Sequence, residues 1–374
     1  MKIYYEDSLP YAHEFFAELG ECEVFSHRTV SAEKIADADI LLVRSTTKVN
    51  EKLLHLNQQL QYVATATAGT NHMDFKYLDS RGIAHGSAGG CNAVAVAEYV
   101  LSALLVMAEK LHWQLSAKVV GIVGAGHVGS ALQLKLKALG ITYKLCDPPL
   151  AATGDTRRFV DMAEIMECDV ITLHVPYIKE GEYKTQHLFD AKRLAQLNER
   201  QLLINACRGE VVDNQSALEL FQQGKKLNLV LDVWENEPAI NQELVPYVKL
   251  ATAHIAGHTI EGKARGTEML YQQLCGRFGL PVTKQLSDYL PNPKPALLKL
   301  PLNESSENAI RDLVLAVYDI KQDDLQLKAS PGEAEQFRYI RKHYPIRREF
   351  AALKVNAGNY PESEAIYALG FLPA

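Results

Sequence analysis

Apolar residues along this chain follow two rhythms. Over the first ninety or so positions, the short β-type runs Lys2-Ile3-Tyr4-Tyr5, Ile40-Leu41-Leu42-Val43 and Tyr62-Val63-Ala64 are separated by stretches such as 12–19 and 31–36 that suit amphipathic helices. That alternation predicts a small parallel α/β domain. Asn92 is placed to cap a long apolar helix over 93–109, buried on most of its circumference. From Lys118 a stronger rhythm begins. Val119-Val120-Gly121-Ile122-Val123 predicts a buried strand, followed by a glycine-rich turn and a helix over 128–139, with Gly140 at its left-handed stop. Strand-like runs recur at 143–146, 170–175, 202–205, 229–233 and 249–251, which predicts a second, larger, doubly wound domain. The stretch 290–301 contains Pro291, Pro293, Pro295 and Pro301, which a helix interior or central strand excludes, and so reads as a linker. The remaining residues mix helical and strand-like pieces without a repeat or a chemical motif.

Composition narrows the function classes. A chain of 374 residues with 47% hydrophobic and 22% charged residues is expected to form two or three globular domains. A formal net charge of -6 argues against a nucleic-acid partner, which calls for a clustered basic excess. Cys22, Cys91, Cys146, Cys168, Cys207 and Cys275 show no metal-ligand spacing, so free thiols and no metal are expected. The start MKIYYEDSLP carries acidic residues where a signal peptide needs an apolar core, and the most apolar stretch, 93–108, is too short to span a bilayer. The expectation is a cytoplasmic protein with no membrane association.

Gly124-Ala125-Gly126-His127-Val128-Gly129 fits G-x-G-x-x-G. The pattern alone is weak, but here it follows a buried strand and opens a helix, the context in which its glycines have separate tasks. One makes the tight turn, one lets the backbone approach a pyrophosphate, and one lets helix and strand pack. The amides of the helix N-terminus receive the negative charge. Asp147, at the end of the next strand, is placed to accept hydrogen bonds from the adenosine ribose and to repel a 2′-phosphate, so NAD is favoured over NADP.

Three further motifs end predicted strands, where open α/β sheets bind ligands: Asn205-Ala206-Cys207-Arg208-Gly209, Leu231-Asp232-Val233-Trp234-Glu235-Asn236-Glu237-Pro238 and Ala253-His254-Ile255-Ala256-Gly257. Oxidising a hydroxy acid needs a base for the hydroxyl proton, a fixed cation for the carboxylate, and a group that orients the base. His254 suits the first task, Arg208 the second through its bidentate fork, and Glu237 the third. Taken singly, each also reads as an ordinary structural residue; together, behind a dinucleotide fingerprint, they read as a site.

In order and in wording, NACRGEVVD, LDVWENEP and HIAG resemble the motifs of the D-2-hydroxyacid dehydrogenases, over about residues 1–280. The resemblance implies that Arg208, Glu237 and His254 are catalytic and that Asp232 contacts the nicotinamide carboxamide. Beside Gly124, Gly126, Gly129 and Asp147 of the fingerprint, it implies cofactor contacts at His127, Val128, Val175, Cys207 and Gly257. The implied fold is a Rossmann NAD-binding domain, 93–256, inserted into a smaller flavodoxin-like α/β substrate domain, 1–92 with 257–280, with the active site in the cleft between them. Residues 281–374 would be an α+β C-terminal dimerisation domain, making the protein a homodimer. Val43-Arg44-Ser45, the 64–70 run ATATAGT, Gly90-Cys91-Asn92-Ala93, Cys146-Asp147-Pro148-Pro149 and Glu261-Gly262-Lys263-Ala264-Arg265-Gly266 narrow the likeness to a branch that takes a small phosphorylated hydroxy acid. There the implied substrate contacts are Ser45, Thr67 and, where the branch has tyrosine, His258. Arg44, Lys263 and Arg265 could add cations, and the run Arg44-Ser45-Thr46-Thr47 supplies a guanidinium and three hydroxyls. In the tail, Arg338, Arg341, Lys342, Arg347 and Arg348 form a basic cluster around His343 and Tyr344 that reads as an exposed helix face or a dimer surface. Two alternatives stay open: another dehydrogenase of the family acting on 3-phosphoglycerate or glycerate, and a non-catalytic NAD-sensing corepressor of the same fold.

Overall fold

The computed structural model describes residues 1–300, 306–330, 333–357, 360 and 363–374; Pro301, the last proline of the expected linker, lies outside them. The chain divides into two units, one of residues 1–92 with 259–291 and one of 93–258 with 292–374.

In the first unit, β1 (Lys2–Glu6), β2 (Glu21–Phe25), β3 (Ile40–Val43), β4 (Tyr62–Thr65) and β5 (Ala84–Ser87) form a sheet of order β2-β1-β3-β4-β5. All neighbours are parallel. This is the flavodoxin-like order. Its central strands are apolar and buried on both faces, as a covered parallel sheet demands. The strands missing from the sequence reading, β2 and β5, lie at the sheet edges, where Glu21-Cys22-Glu23 and His85-Gly86-Ser87 give no apolar run. Residues 31–36 form turns and not a helix, with only Ala32 and Ile35 buried.

The helix Ile260–Phe278 completes this unit. Its N-cap, Thr259, accepts a hydrogen bond from the amide of Gly262, and Gly279 ends it at φ 65°. Leu270, Tyr271 and Leu274 join Ile3, Phe15 and Phe16 in one core. Leu286 belongs to that core and Tyr289 and Leu290 pack against it, which carries the unit past the expected limit at 280.

The second unit holds β6 (Val119–Val123), β7 (Thr142–Cys146), β8 (Val170–Leu173), β9 (Leu202–Asn205), β10 (Asn228–Leu231) and β11 (Leu250–Ala251) in the order β11-β10-β9-β8-β6-β7. Every pair is parallel. Strand order reverses at β6, so the crevice beyond its carboxyl end, beside β8, is the switch point where dinucleotides bind. The apolar helix Ala93–Lys110 packs with the helix His127–Ala138 beneath this sheet.

Residues 292–374 are not a separate body. They add β12 (Leu297–Lys299), β13 (Lys354–Asn356) and β14 (Leu372–Pro373), a parallel three-stranded sheet, and the helices Ser306–Val317, Ile320–Lys328 and Ala334–Lys342. Leu298, Leu313, Val314, Phe350, Val355 and Phe371 share one core with Val100, Leu104, Leu132 and Leu136. Inside it, Lys135 pairs with Glu98 at 3.1 Å and donates to the carbonyl of Leu369 at 2.9 Å. Asp324 accepts from the amide of Ala251 at 2.8 Å, occupying a donor on the edge strand β11. The prolines mark a change of local composition, which carries no information on where the following segment packs; that is why an independent segment from 281 was expected. Among the described residues, no helix is long and apolar enough to cross a membrane.

Candidate active site

The glycines of the 124–129 turn take three distinct roles. Gly124 sits at φ +91°, and a Cβ on it would lie 2.4 Å from the carbonyl oxygen of His174. Gly129 lies against the turn itself, since a Cβ there would be 2.1 Å from the oxygen of Gly124. Gly126 differs: a Cβ on it meets no protein atom within 4 Å. No atom of the described residues fills that space, so a group from outside can approach the backbone at the N-terminus of the helix His127–Ala138; glycine also eases the local φ −70°, ψ −147°, which lies off the usual β range. A pyrophosphate fits that place. Val175, whose methyl borders Gly124, and His127 and Val128 in the first helical turn lie around the same crevice.

Asp147 ends β7 and is half-buried. Its Oδ2 accepts from the amide of Ala125 at 2.8 Å and its Oδ1 from that of Leu150 at 3.0 Å. The carboxylate thus ties the glycine turn to the next strand, and each oxygen keeps a lone pair for a ribose hydroxyl.

Three loops carry the expected catalytic groups. Asn205 is fully buried; its Nδ2 donates to the carbonyl of Arg208 at 2.8 Å, and its Oδ1 accepts from the amide of Cys207 at 3.2 Å. This fixes the arginine loop. The Arg208 guanidinium makes one hydrogen bond, to the carbonyl of Cys207 at 2.6 Å, so most of its fork remains available for a carboxylate. Cys207 is buried, which pushes its thiol up to about 11 and leaves it a neutral packing group. Gly209 seats this loop on the next, because a Cβ on it would lie 2.0 Å from the carbonyl carbon of Trp234. Two carboxylates brace the junction: Glu235 accepts from His187 Nε2 at 2.7 Å and from the amide of Asn214 at 2.8 Å, and Asp213 caps the helix Asn214–Gln222.

Glu237 and His254 meet directly. His254 Nδ1 lies 2.6 Å from Glu237 Oε2, and Glu237 Oε1 accepts from the amide of Trp234 at 2.9 Å. The carboxylate therefore fixes the ring and leaves Nε2 for proton transfer. His254 sits at φ 55°, an uncommon conformation for a side-chain-bearing residue, retained where the surroundings dictate it.

Asp232 supplies much of that constraint. Its carbonyl accepts from the amide of His254 at 2.7 Å. Its Oδ1 takes the Thr252 hydroxyl at 2.6 Å and the amide of Ile255 at 2.8 Å, while Oδ2 takes the amide of Ala256 at 2.9 Å. The residue expected to hold the carboxamide is thus first the buttress of the histidine turn, with one lone pair on Oδ2 for a further donor. Gly257 and His258 end the same turn, His258 edge-on to Tyr344 with ring centroids 5.6 Å apart.

In the first unit, Arg44 and Ser45 follow β3 and Thr67 follows β4. Ser45 is exposed and makes no hydrogen bond. The other hydroxyls of its run are engaged: Thr46 and Thr47 donate to the fully buried Glu6 at 2.6 and 2.7 Å. Burial alone would raise Glu6, but hydrogen bonds from Ser8, Thr46, Thr47 and the amide of Arg44 outweigh it and hold the carboxyl below its ordinary value. One free hydroxyl and not three remains. Thr67 donates to the carbonyl of Gly69 at 2.9 Å and its oxygen lies 2.8 Å from the Thr65 hydroxyl, so this side chain is engaged within its own loop. Arg44 gives one donor to the carbonyl of Ser8 at 3.2 Å, and Arg265 binds the carbonyl of Cys91 at 2.7 Å. Arg265 is therefore a strut of this unit and not a free cation.

Sequence reasoning missed two neighbours of the site. His174 follows β8, with Nε2 2.9 Å from the Thr172 hydroxyl and a buried Nδ1 without a partner; burial lowers it to about 3. Its signal was the His-Val-Pro run after a strand. Arg347, assigned to an exposed basic cluster, is only 5% exposed and binds the carbonyls of Ala95 and Ala256 at 2.8 and 2.5 Å.

Comparison with known proteins places these features in context. Residues 102–259 match the D-isomer specific 2-hydroxyacid dehydrogenase NAD binding domain, and residues 289–370 match a domain of unknown function. The chain is 68% identical over 371 residues, 99% of each chain, to erythronate-4-phosphate dehydrogenase of Pseudoalteromonas atlantica. It is 46% identical, again over 99% of each, to the protein of that name in Shewanella oneidensis. Among solved structures, an NAD-bound 3-phosphoglycerate dehydrogenase of Entamoeba histolytica aligns with TM-score 0.63 at 24% identity, over 76% of this chain and 99% of that one. An NAD complex of Staphylococcus aureus formate dehydrogenase aligns with TM-score 0.59 at 21% identity, over 76% and 98%. These two share the fold.

Proposed function

Because the chain belongs to the erythronate-4-phosphate dehydrogenase family, within the D-isomer specific 2-hydroxyacid dehydrogenases, we propose that it oxidises 4-phospho-D-erythronate to 2-oxo-3-hydroxy-4-phosphobutanoate with NAD, as a step towards pyridoxal 5′-phosphate. The observation that carries this reading is the 2.6 Å pair of His254 and Glu237, beside an arginine whose guanidinium is largely uncommitted. NAD, when bound, would supply its oxidised nicotinamide ring as the hydride acceptor. Arg208 holds the substrate carboxylate with its fork and polarises the developing carbonyl by stabilising negative charge on its oxygen as the proton leaves. His254 Nε2 takes the 2-hydroxyl proton as the carbon–hydrogen bond breaks and the carbonyl forms. Glu237 stabilises the resulting imidazolium and fixes the tautomer that leaves Nε2 free to accept. Asp232, through Ile255 and Ala256, keeps the ring in place, and its remaining lone pair suits the carboxamide.

The phosphate is assigned to Ser45 and Arg44 of the first unit, supported by the free Ser45 hydroxyl and the donors left on Arg44. His258 is assigned to the substrate on the resemblance alone. The homodimer is supported by apolar residues left exposed on the tail, Leu325, Tyr339 and Ile346, at 61%, 54% and 75%. Localisation in the cytoplasm follows from the substrate proposed. Following NADH formation across 4-phosphoerythronate, 3-phosphoglycerate and glycerate tests the assignment. Preference for the first is expected; faster turnover of 3-phosphoglycerate overturns the substrate, and no turnover of any of them favours the NAD-sensing alternative.

A further inference from the structure

The tail segment that matches a domain of unknown function reaches the catalytic turn through two side chains, Tyr344 against the His258 ring and Arg347 against the backbone. Arg347 enters the second unit from residues 343–349 and donates from Nη2 to the carbonyls of Ala256 at 2.5 Å and Ala95 at 2.8 Å. Its Nη1 lies at the outer hydrogen-bonding limit, 3.5 Å, from the carbonyl of Ile255. The amides of those same residues, Ile255 and Ala256, are held by the Asp232 carboxylate. Residues 255 and 256 are therefore gripped on both sides, by an anion on the N–H groups and a cation on the C=O groups. His254 immediately precedes them, and Gly257 and His258 immediately follow.

The grip on the cation side is itself fixed. The guanidinium lies 4.2 Å from the centroid of the Tyr318 ring. Tyr318 and Tyr344 both donate to Asp323 Oδ2, at 2.8 and 2.7 Å. Asp323 is buried, and burial raises it while the two tyrosines pull it down. On the anion side, Tyr99 hydrogen-bonds the Thr252 hydroxyl at 2.8 Å, and Thr252 donates to Asp232. A buried charge held by carbonyl oxygens, an aromatic face and a distant carboxylate is costly to place. A simple packing role would be met by an apolar residue. From this placement we infer that Arg347 is a positioning residue for the proposed dehydrogenase reaction: by occupying the carbonyls behind His254, the tail fixes where Nε2 stands when it receives the hydroxyl proton. The tail is thereby part of the catalytic scaffold. This inference rests on the acid–base role proposed for His254.

The test compares Arg347→Met and Arg347→Lys with the parent protein, full-length and verified as folded by circular dichroism. Lysine keeps a charge and a single donor, and methionine keeps only the stem, so turnover of 4-phosphoerythronate is expected to fall in the order Arg, Lys, Met. A loss of about tenfold or more is expected for Met, the scale on which a small misplacement of a reacting group acts. The substrate deuterated at C2 separates this from a loss of folded molecules. Misplacing the base slows the chemical step and raises the kinetic isotope effect, whereas a smaller active fraction lowers kcat and leaves the isotope effect unchanged. Parent-like turnover and isotope effect in either folded variant overturn the inference. Should neither variant fold, amide exchange in the parent decides: Ile255 and Ala256 must exchange as slowly as the amides of β10, and exchange at the rate of an exposed loop overturns it. If the parent reduces no NAD with any hydroxy acid, the functional proposal fails, while the exchange result still judges the grip itself.

Discussion

A methyl group added at position 126 separates what the glycine turn does for the fold from what it does for the cofactor. In Gly126→Ala the new Cβ has no atom of the described residues within 4 Å; φ −70° is ordinary, while ψ −147° lies off the usual β range. Gly126 is the N-cap of the helix His127–Ala138 without a side-chain hydrogen bond. Alanine is the poorer cap and fits that ψ less well than glycine, so stability should fall by about 1–2 kcal/mol. The same methyl would stand where a pyrophosphate must contact the backbone. Binding of NAD is therefore expected to weaken by about tenfold at least, about 1.4 kcal/mol. Gly129→Ala reverses the pattern. Its Cβ would fall 2.1 Å from the Gly124 oxygen, a clash with backbone that a side-chain rotation cannot relieve. Overpacking of this kind costs about 1–3 kcal/mol. Urea unfolding gives the stabilities, and titration calorimetry with NADH gives the affinities. Gly126→Ala binding NADH like the parent protein would refute the assignment of that open space to the cofactor.

Asp147→Ala should narrow the preference for NAD over NADP, because the repulsion of a 2′-phosphate goes; it should also cost about 1 kcal/mol, because the carboxylate caps Leu150 and holds Ala125. Equal use of both cofactors by the parent protein would sink this. Lys135→Met leaves Glu98 buried without its partner, expected to cost about 3–5 kcal/mol near pH 8. Burial already pushes Glu98 up to about 7 against the attraction of Lys135, and losing the lysine raises it further. A carboxyl whose folded value is raised is stabilising below its unfolded value and loses that stability as pH rises through the folded one. The variant should thus recover stability near pH 5.5, and an equal loss at both pH values in urea unfolding would contradict the argument. Removing residues 292–374 exposes Val100, Leu104, Leu132 and Leu136, so the truncated chain should lose its cooperative thermal transition. A folded monomer in light scattering would show instead that the tail serves assembly alone.

The sequence carried the second unit's strands and its site because both rest on local signals. Val119–Val123 is an apolar run that a covered parallel strand requires, and Gly124, Arg208, Glu237 and His254 each stand just past such a run. The edge strands β2 and β5 were illegible because a half-exposed strand tolerates charges and glycine. Thr46 and Thr47 looked like substrate hydroxyls because their partner, Glu6, is forty residues away in sequence and gives no local sign of being a buried acceptor. Arg347 was misplaced for the same reason. A run of arginines reads as a solvated face unless the carbonyls of Ala95 and Ala256 are known to meet it, and that is a matter of tertiary packing.

The proposal depends most directly on His254 as the proton acceptor. Single-turnover reduction of NAD by 4-phosphoerythronate, followed through NADH absorbance in the parent protein and in His254→Ala, measures that step without product release. The parent should complete the turnover, and the variant should be slower by about a hundredfold or more, with NADH affinity unchanged because the glycine turn and Asp147 are untouched. A variant that keeps most of the rate would contradict the account.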